Sequence, residues 1–143
     1  MQSVLRISEA ASIALHSMIY ISLQGDKTSS SKEIAKSFGV SEHHLSKVLK
    51  KLVNSELLIS IKGPHGGFIL GKNSDDITFL EIYEAIDGPI KQGCCLFGRQ
   101  ACDCEECIMG DFLKNTNKSV KEYFENKKLS DFCNRKNKHG NNP

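Results

Sequence analysis

The chain has 143 residues, 39% hydrophobic and 25% charged, which allows one domain with a small appended element and argues against disorder as the default. Its formal net charge of +2 is too small to argue for nucleic acid, so where the cations sit matters more than how many there are. Arg6, Glu9, His16 and several serines interrupt the stretch from Met1 to Leu23, which reads as neither a secretory signal nor a membrane span. The expected compartment is the cytoplasm, where thiols stay reduced and clustered cysteines bind metal or do redox chemistry more often than they form structural disulfides.

Residues 8 to 23 place Ala11, Ala14, Leu15, Met18, Ile19 and Leu23 at helical spacing, and Gly25-Asp26 ends that helix in a turn. Ser30 and Glu33 have capping-box spacing, predicting a short helix to Phe38 that Gly39 stops. Ser41 is the expected N-cap of a third helix, from Glu42 to about Asn54. Its apolar stripe is Leu45, Val48, Leu49, Leu52 and Val53. Leu57, Ile59 and Ile61 alternate as in a strand reaching Lys62; Gly63-Pro64-His65-Gly66-Gly67 is a turn, and Phe68-Ile69-Leu70 returns. Thr78 and Glu81 form a second capping box, opening a helix that ends near Asp87-Gly88-Pro89. A cysteine-rich loop follows, and then a long helix from about Ile108 to Asn126 with an apolar stripe through Met109, Phe112, Leu113, Thr116, Val120, Tyr123 and Phe124. The fold class is therefore mainly α: a winged helix-turn-helix with a small two-stranded wing and a long C-terminal helix, for which the resemblance drawn below implies a dimerisation role. The expected divisions are 1–88 for the winged helix-turn-helix, 89–107 for the cysteine-rich loop, 108–128 for the long C-terminal helix, and a disordered tail over 129–143.

Duplex DNA demands cations for phosphates and polar groups for base edges. The third helix supplies both on the side opposite its apolar stripe. Ser41, Glu42, His43 and His44 open it, and Lys47, Lys50 and Lys51 follow; Lys62, His65 and Gly66 form the wing. A solvated cationic face is the plainer explanation for the lysines alone, but the turn and the wing point to the same architecture.

Six cysteines are present, and Cys94, Cys95, Cys102, Cys104 and Cys107 fall within fourteen positions; Cys133 stands apart and has no assigned role. Thiolates are soft ligands suited to zinc or iron–sulfur clusters. Neighbouring thiols also oxidise readily when exposed, so a thiol-disulfide switch competes with metal binding, as does a surface loop with no chemical role.

The segments LRISEAASIALHSM, SSSKEIAKSFGVSEHHLSKVLKKLVNSELL, GPHGGFIL and ITFLEIYEAIDGP, followed by a cysteine loop, resemble the IscR/NsrR-type family of bacterial regulators from about Leu5 to Phe124. That resemblance implies a bacterial homodimer, with the C-terminal helix crossing to its partner and a roughly palindromic double-stranded DNA operator. It also implies a two-iron or four-iron cluster that responds to nitric oxide, redox state or cluster supply and controls operator binding, with repression the expected outcome. Relatives present three cysteines spaced C-x5-C-x5-C and take a fourth ligand from the partner's first helix. Counted from AIDGP, Cys95 and Cys107 fall at the first and third ligand positions. Cys102 must then be the middle one, giving C-x6-C-x4-C, a departure that leaves Cys94 and Cys104 as alternates. On the first helix, Ser12 falls where some relatives carry a carboxylate and is a poor iron ligand. His16 is the better candidate, against the alternative of a half-buried helix histidine. Asp103, Glu105 and Glu106 make the loop acidic, which should lower the cluster's reduction potential. Structural zinc, no metal at all, and a winged-helix adaptor that binds protein rather than DNA stand as alternatives. No Ser-His-Asp order, phosphate-binding glycine loop or paired-carboxylate cleft suggests an enzyme.

Overall fold

The computed structural model describes residues 7–91, 93, 95 and 107–139, with side chains up to residue 134. Helix α1 (Glu9–Leu23) starts at Ser8, whose side chain accepts the Ala11 N–H, and buries Ala11, Ile13, Ala14, Met18 and Ile21. These residues point in several directions, because α1 is surrounded by α3, α4, α6 and the second wing strand. Helix α2 (Ser31–Phe38) opens on a complete capping box between Ser30 and Glu33 and ends at Gly39 with φ 64°. Ser41 then caps α3 (Glu42–Asn54) by accepting the His44 N–H at 3.1 Å. As the spacing predicts, Leu45, Val48, Leu49 and Leu52 are buried in the core.

Strands β1 (Leu58–Ile61) and β2 (Gly67–Leu70) pair antiparallel, with Leu58 opposite Leu70 and Ile61 opposite Gly67. The strand forms, but without the expected alternation of burial: the adjacent Leu57 and Leu58 are both buried, whereas Ile59, Ser60 and Ile61 are all exposed as the hairpin leaves the core. The hairpin does not hang free. Ser29 and Phe68 exchange both backbone hydrogen bonds (3.1 and 2.8 Å), and the Thr28 hydroxyl donates to the His65 carbonyl at 2.9 Å. That close approach explains Gly67: its φ is 152°, and a Cβ there would sit 2.6 Å from the Ser29 carbonyl oxygen. Gly67→Ala should therefore cost about 1–3 kcal/mol through backbone strain, read as a fall in the urea midpoint; an unchanged midpoint would show that the hairpin can lift away.

A short 3-10 turn (Ser74–Asp76) leads to α4 (Phe79–Asp87), whose Thr78–Glu81 capping box is fully formed. Burial pushes the Glu81 carboxyl up. The Lys72 ammonium at 2.6 Å and the Thr78 N–H and hydroxyl more than offset this, holding it below its ordinary 4.5. A depressed carboxylate stabilises the fold above its unfolded pKa and loses that contribution as pH falls through the folded value. The stability gap between wild type and Glu81→Gln should be constant near neutrality and close progressively below pH 4.5. Urea titrations across that range measure it, and a gap independent of pH would contradict the assignment.

Helix α5 (Gly110–Asn126) begins two residues later than the spacing suggests, after a turn at Ile108 and Met109. Its C-terminal half rests on α4, with Phe124 buried 5.6 Å from the Tyr83 ring. Phe112 and Tyr123, from the same stripe, are 60% and 54% exposed.

The expected tail is the main correction. From residue 129 the chain forms α6 (Leu129–His139), packed on α1 and the 3-10 turn. Leu129 is fully buried, its N–H bonds the Ile77 carbonyl at 2.9 Å, and Phe132 packs on Phe79 at 5.3 Å. The Asp131 carboxylate accepts the Lys128 N–H at 2.9 Å, fixing the helix start. Two apolar side chains and an N-terminal carboxylate thus outweigh the polar composition that follows.

Candidate nucleic-acid interface and cysteine loop

In α3 every outward position is set by the four buried ones. His43, Lys47, Lys50 and Asn54 recur at helical spacing, and all four are exposed. His44 is half-buried, and the Ser41 hydroxyl oxygen is committed to its N–H. The exposed Glu42 carboxylate accepts from the Ser31 hydroxyl at 3.3 Å, which ties the start of α3 to α2. Lys62 and His65 are exposed on the wing. Gly66 makes the turn tight: its N–H bonds the Gly63 carbonyl at 3.0 Å, and a Cβ there would collide with the Ile61 carbonyl.

Lys51 departs from this set. It is exposed as well, but its ammonium donates to the Ile86 carbonyl at 3.4 Å, so its head reaches toward the end of α4. Helical spacing puts Lys51 on the flank of α3 nearer the buried stripe than Lys50, but only the packing of α4 beside it shows what its ammonium meets. Ser31 and Thr28, which brace Glu42 and the wing, were equally invisible in the sequence because their partners lie 11 and 37 positions away.

Of the loop thiols, Cys95 and Cys107 are described and half-buried; Cys94, Cys102 and Cys104 lie outside the described residues. The Gly110 N–H bonds the Cys107 carbonyl at 3.0 Å, placing Cys107 in the turn that opens α5. The loop's near end is tied to the same helix, since Asn117 donates to the Gly93 carbonyl at 3.0 Å. Cys133 lies on α6, 3.0 Å from the Ser22 hydroxyl.

His16 is exposed rather than half-buried, edge-on to Phe38 with ring centroids 6.1 Å apart. Its Nδ1 lies 2.7 Å from the Ser12 carbonyl oxygen. A carbonyl only accepts, so Nδ1 is the donor here, and Nε2 is the ring nitrogen left to face a ligand, the arrangement of a metal-ligating histidine. Ser12 and His16 share the wall of a surface hollow of about 320 Å³ with Glu9, Ile13, Phe38 and Val40. Among the described residues no three His, Cys, Asp or Glu side chains converge as a metal site. As a donor set, however, clustered thiols with an imidazole suit an iron–sulfur cluster or zinc.

The Rrf2 family, described as an iron-dependent transcriptional regulator, matches residues 7–135. The chain belongs to the Rrf2 family. CymR, described as the global cysteine regulator of B. subtilis, has a solved structure that superposes with a TM-score of 0.79 at 28% identity. The match covers 92% of this chain and 98% of that one. By sequence, CymR of Bacillus subtilis is 36% identical over 87 residues, 60% of this chain and 63% of CymR. The IscR regulator of Sodalis glossinidius is 25% identical over 129 residues, 89% of this chain and 78% of IscR. This Rrf2 protein is a DNA-binding transcription regulator of winged helix-turn-helix type and not an enzyme. Among the described residues no helix is long and apolar enough to cross a membrane.

Proposed function

We propose that this Rrf2 regulator acts in the bacterial cytoplasm as a homodimer joined through α5. Two copies of α3 and the wing hold a roughly palindromic operator, and the cysteine loop sets how tightly. Ser41, Glu42, His43, His44, Lys47, Lys50, Lys62, His65 and Gly66 form the contact surface, with Lys47 and Lys50 the main cations. The exposed Phe112 and Tyr123 supply the apolar seam that a partner helix covers. Cys95, Cys102 and Cys107, with His16 of the partner subunit as fourth ligand, hold an iron–sulfur cluster, and operator binding represses transcription. The cluster contributes a centre that redox change or nitric oxide alters. The chain's part is to couple that change to the spacing of the two reading heads.

The observation that carries this reading is the position of Cys107. It sits in the turn that starts α5, so whatever its sulfur binds acts on the first turn of the dimer helix. A second reading, direct thiol sensing without a cluster, is favoured by the structural likeness to a regulator described by its link to cysteine.

Anaerobic purification separates them. A brown protein with iron and sulfide, whose operator affinity changes when the cluster is removed, is the expected result. A colourless protein with stoichiometric zinc sinks the cluster. A colourless, metal-free protein whose operator binding responds to thiol oxidants supports the second reading. Salt-indifferent binding to a protein, with none to promoter DNA, would identify an adaptor instead.

A further inference from the structure

The last turn of α4 is held in a way that its own sequence would not sustain. It contains no basic side chain and ends on Asp87, an anion at the negative end of the helix dipole. The missing cation comes from α3, where the Lys51 ammonium donates to the Ile86 carbonyl at 3.4 Å. Asp87 is gripped from another side: the Ser8 hydroxyl donates to its carboxylate at 2.7 Å while its oxygen caps α1. Gly88, with φ 79°, then turns the chain out toward Pro89. Five residues after Gly88 the chain is tied again, Asn117 of α5 bonding the Gly93 carbonyl, and Cys95 follows two positions later.

We propose that the Ile86–Asp87 turn is a joint coupling the cysteine loop to the reading helix, with Lys51 a positioning residue rather than a DNA contact. This rests on reading the loop as the sensor. Movement at Cys95 acts on a chain anchored to α5 at Gly93 and, at the Ile86–Asp87 turn, to α1 and α3. Lys51 carries the displacement into the C-terminal turn of α3, and Ser8 carries it into the helix bearing His16. Coupling of this kind is reciprocal, so operator DNA must also bias the loop.

The test compares wild type, Lys51→Met and Lys51→Arg, all carrying Cys133→Ser so that only loop thiols react. Methionine keeps an apolar stem and loses the donor; arginine restores a donor. Operator affinity is measured with the loop cysteines reduced and after alkylation with iodoacetamide, across a salt series. Wild type should show a ratio within the roughly 5–150-fold range of two-site coupling. Lys51→Met should bring the ratio close to one without changing the salt slope, and Lys51→Arg should restore it. An intact ratio in Lys51→Met with a shallower salt slope would overturn the proposal and make Lys51 a phosphate contact. If alkylation leaves even wild-type affinity unchanged, the sensor reading fails, and hydrogen exchange decides the joint separately. Faster exchange at the Gly88 amide and in the last turn of α3 in Lys51→Met would support it, and unchanged exchange would refute it.

Discussion

Replacing Lys47 and Lys50 together by alanine should lower operator affinity roughly a thousandfold at low salt, with little effect on folding. Both side chains are exposed on α3, and alanine is the better helix former, so the helix itself is not weakened. A solvent-screened lysine–phosphate contact at the surface contributes about 1 kcal/mol net, the upper end for an exposed ion pair. In a two-fold dimer each substitution removes two contacts, and the four lost contacts sum to about 4 kcal/mol, or roughly three decades at 1.4 kcal/mol each. The salt dependence is the sharper readout. Each lost phosphate contact should reduce the logarithmic slope by about 0.9, so one lysine replaced in a dimer changes it by about 1.8 and in a monomer by half that. Fluorescence anisotropy with an operator duplex between low and moderate salt measures both quantities. An unaltered slope would mean that this side of α3 does not meet the duplex.

Leu129→Ala should cost about 2–5 kcal/mol, the range for emptying a fully packed leucine site. Leu129 is completely buried, and its backbone bonds Ile77 while Phe79 bonds the Lys127 carbonyl, so the α5–α6 junction is stitched to the start of α4. Against a total stability of about 5–15 kcal/mol, the loss should be visible as a large drop in the urea midpoint. Helix α6 would then be part of the domain and not an appendage. A cost below about 1 kcal/mol, typical of an exposed site, would return residues 129–139 to the status of a tail.

These two regions also mark what could be read from the sequence. The caps at Ser30, Ser41 and Thr78 and the stop at Gly39 were legible because each is a contact within one helical turn. The buried stripe of α3 was legible for the same reason. Helix α6 was not, because two apolar residues in a polar run carry no periodicity, and the bond that anchors it reaches back 52 positions to Ile77. Ile59 and Ile61 show a different limit: they share the alternation of Leu57, yet only Leu57 is buried, because burial here falls off along the hairpin rather than changing from side to side. Lys51 shows a third, since a long side chain ends where its neighbours allow rather than where its Cα projects. In the cysteine loop the clustering of thiols was plain in the sequence, but spacing does not encode a choice among Cys94, Cys102 and Cys104, which lie outside the described residues.

The hairpin lashed to residues 28 and 29 has a further implication for how such a protein can be regulated. Because Ser29 and Thr28 sit at the entrance to α2, the wing tip is tied to the domain that carries α3. In the proposed dimer each head would then meet a half-site as one solid stencil, and a signal would act by changing the gap between the two. Operators with base pairs inserted or deleted at their centre should then be ranked differently by the two sensory states, while substitutions inside a half-site should be penalised equally in both.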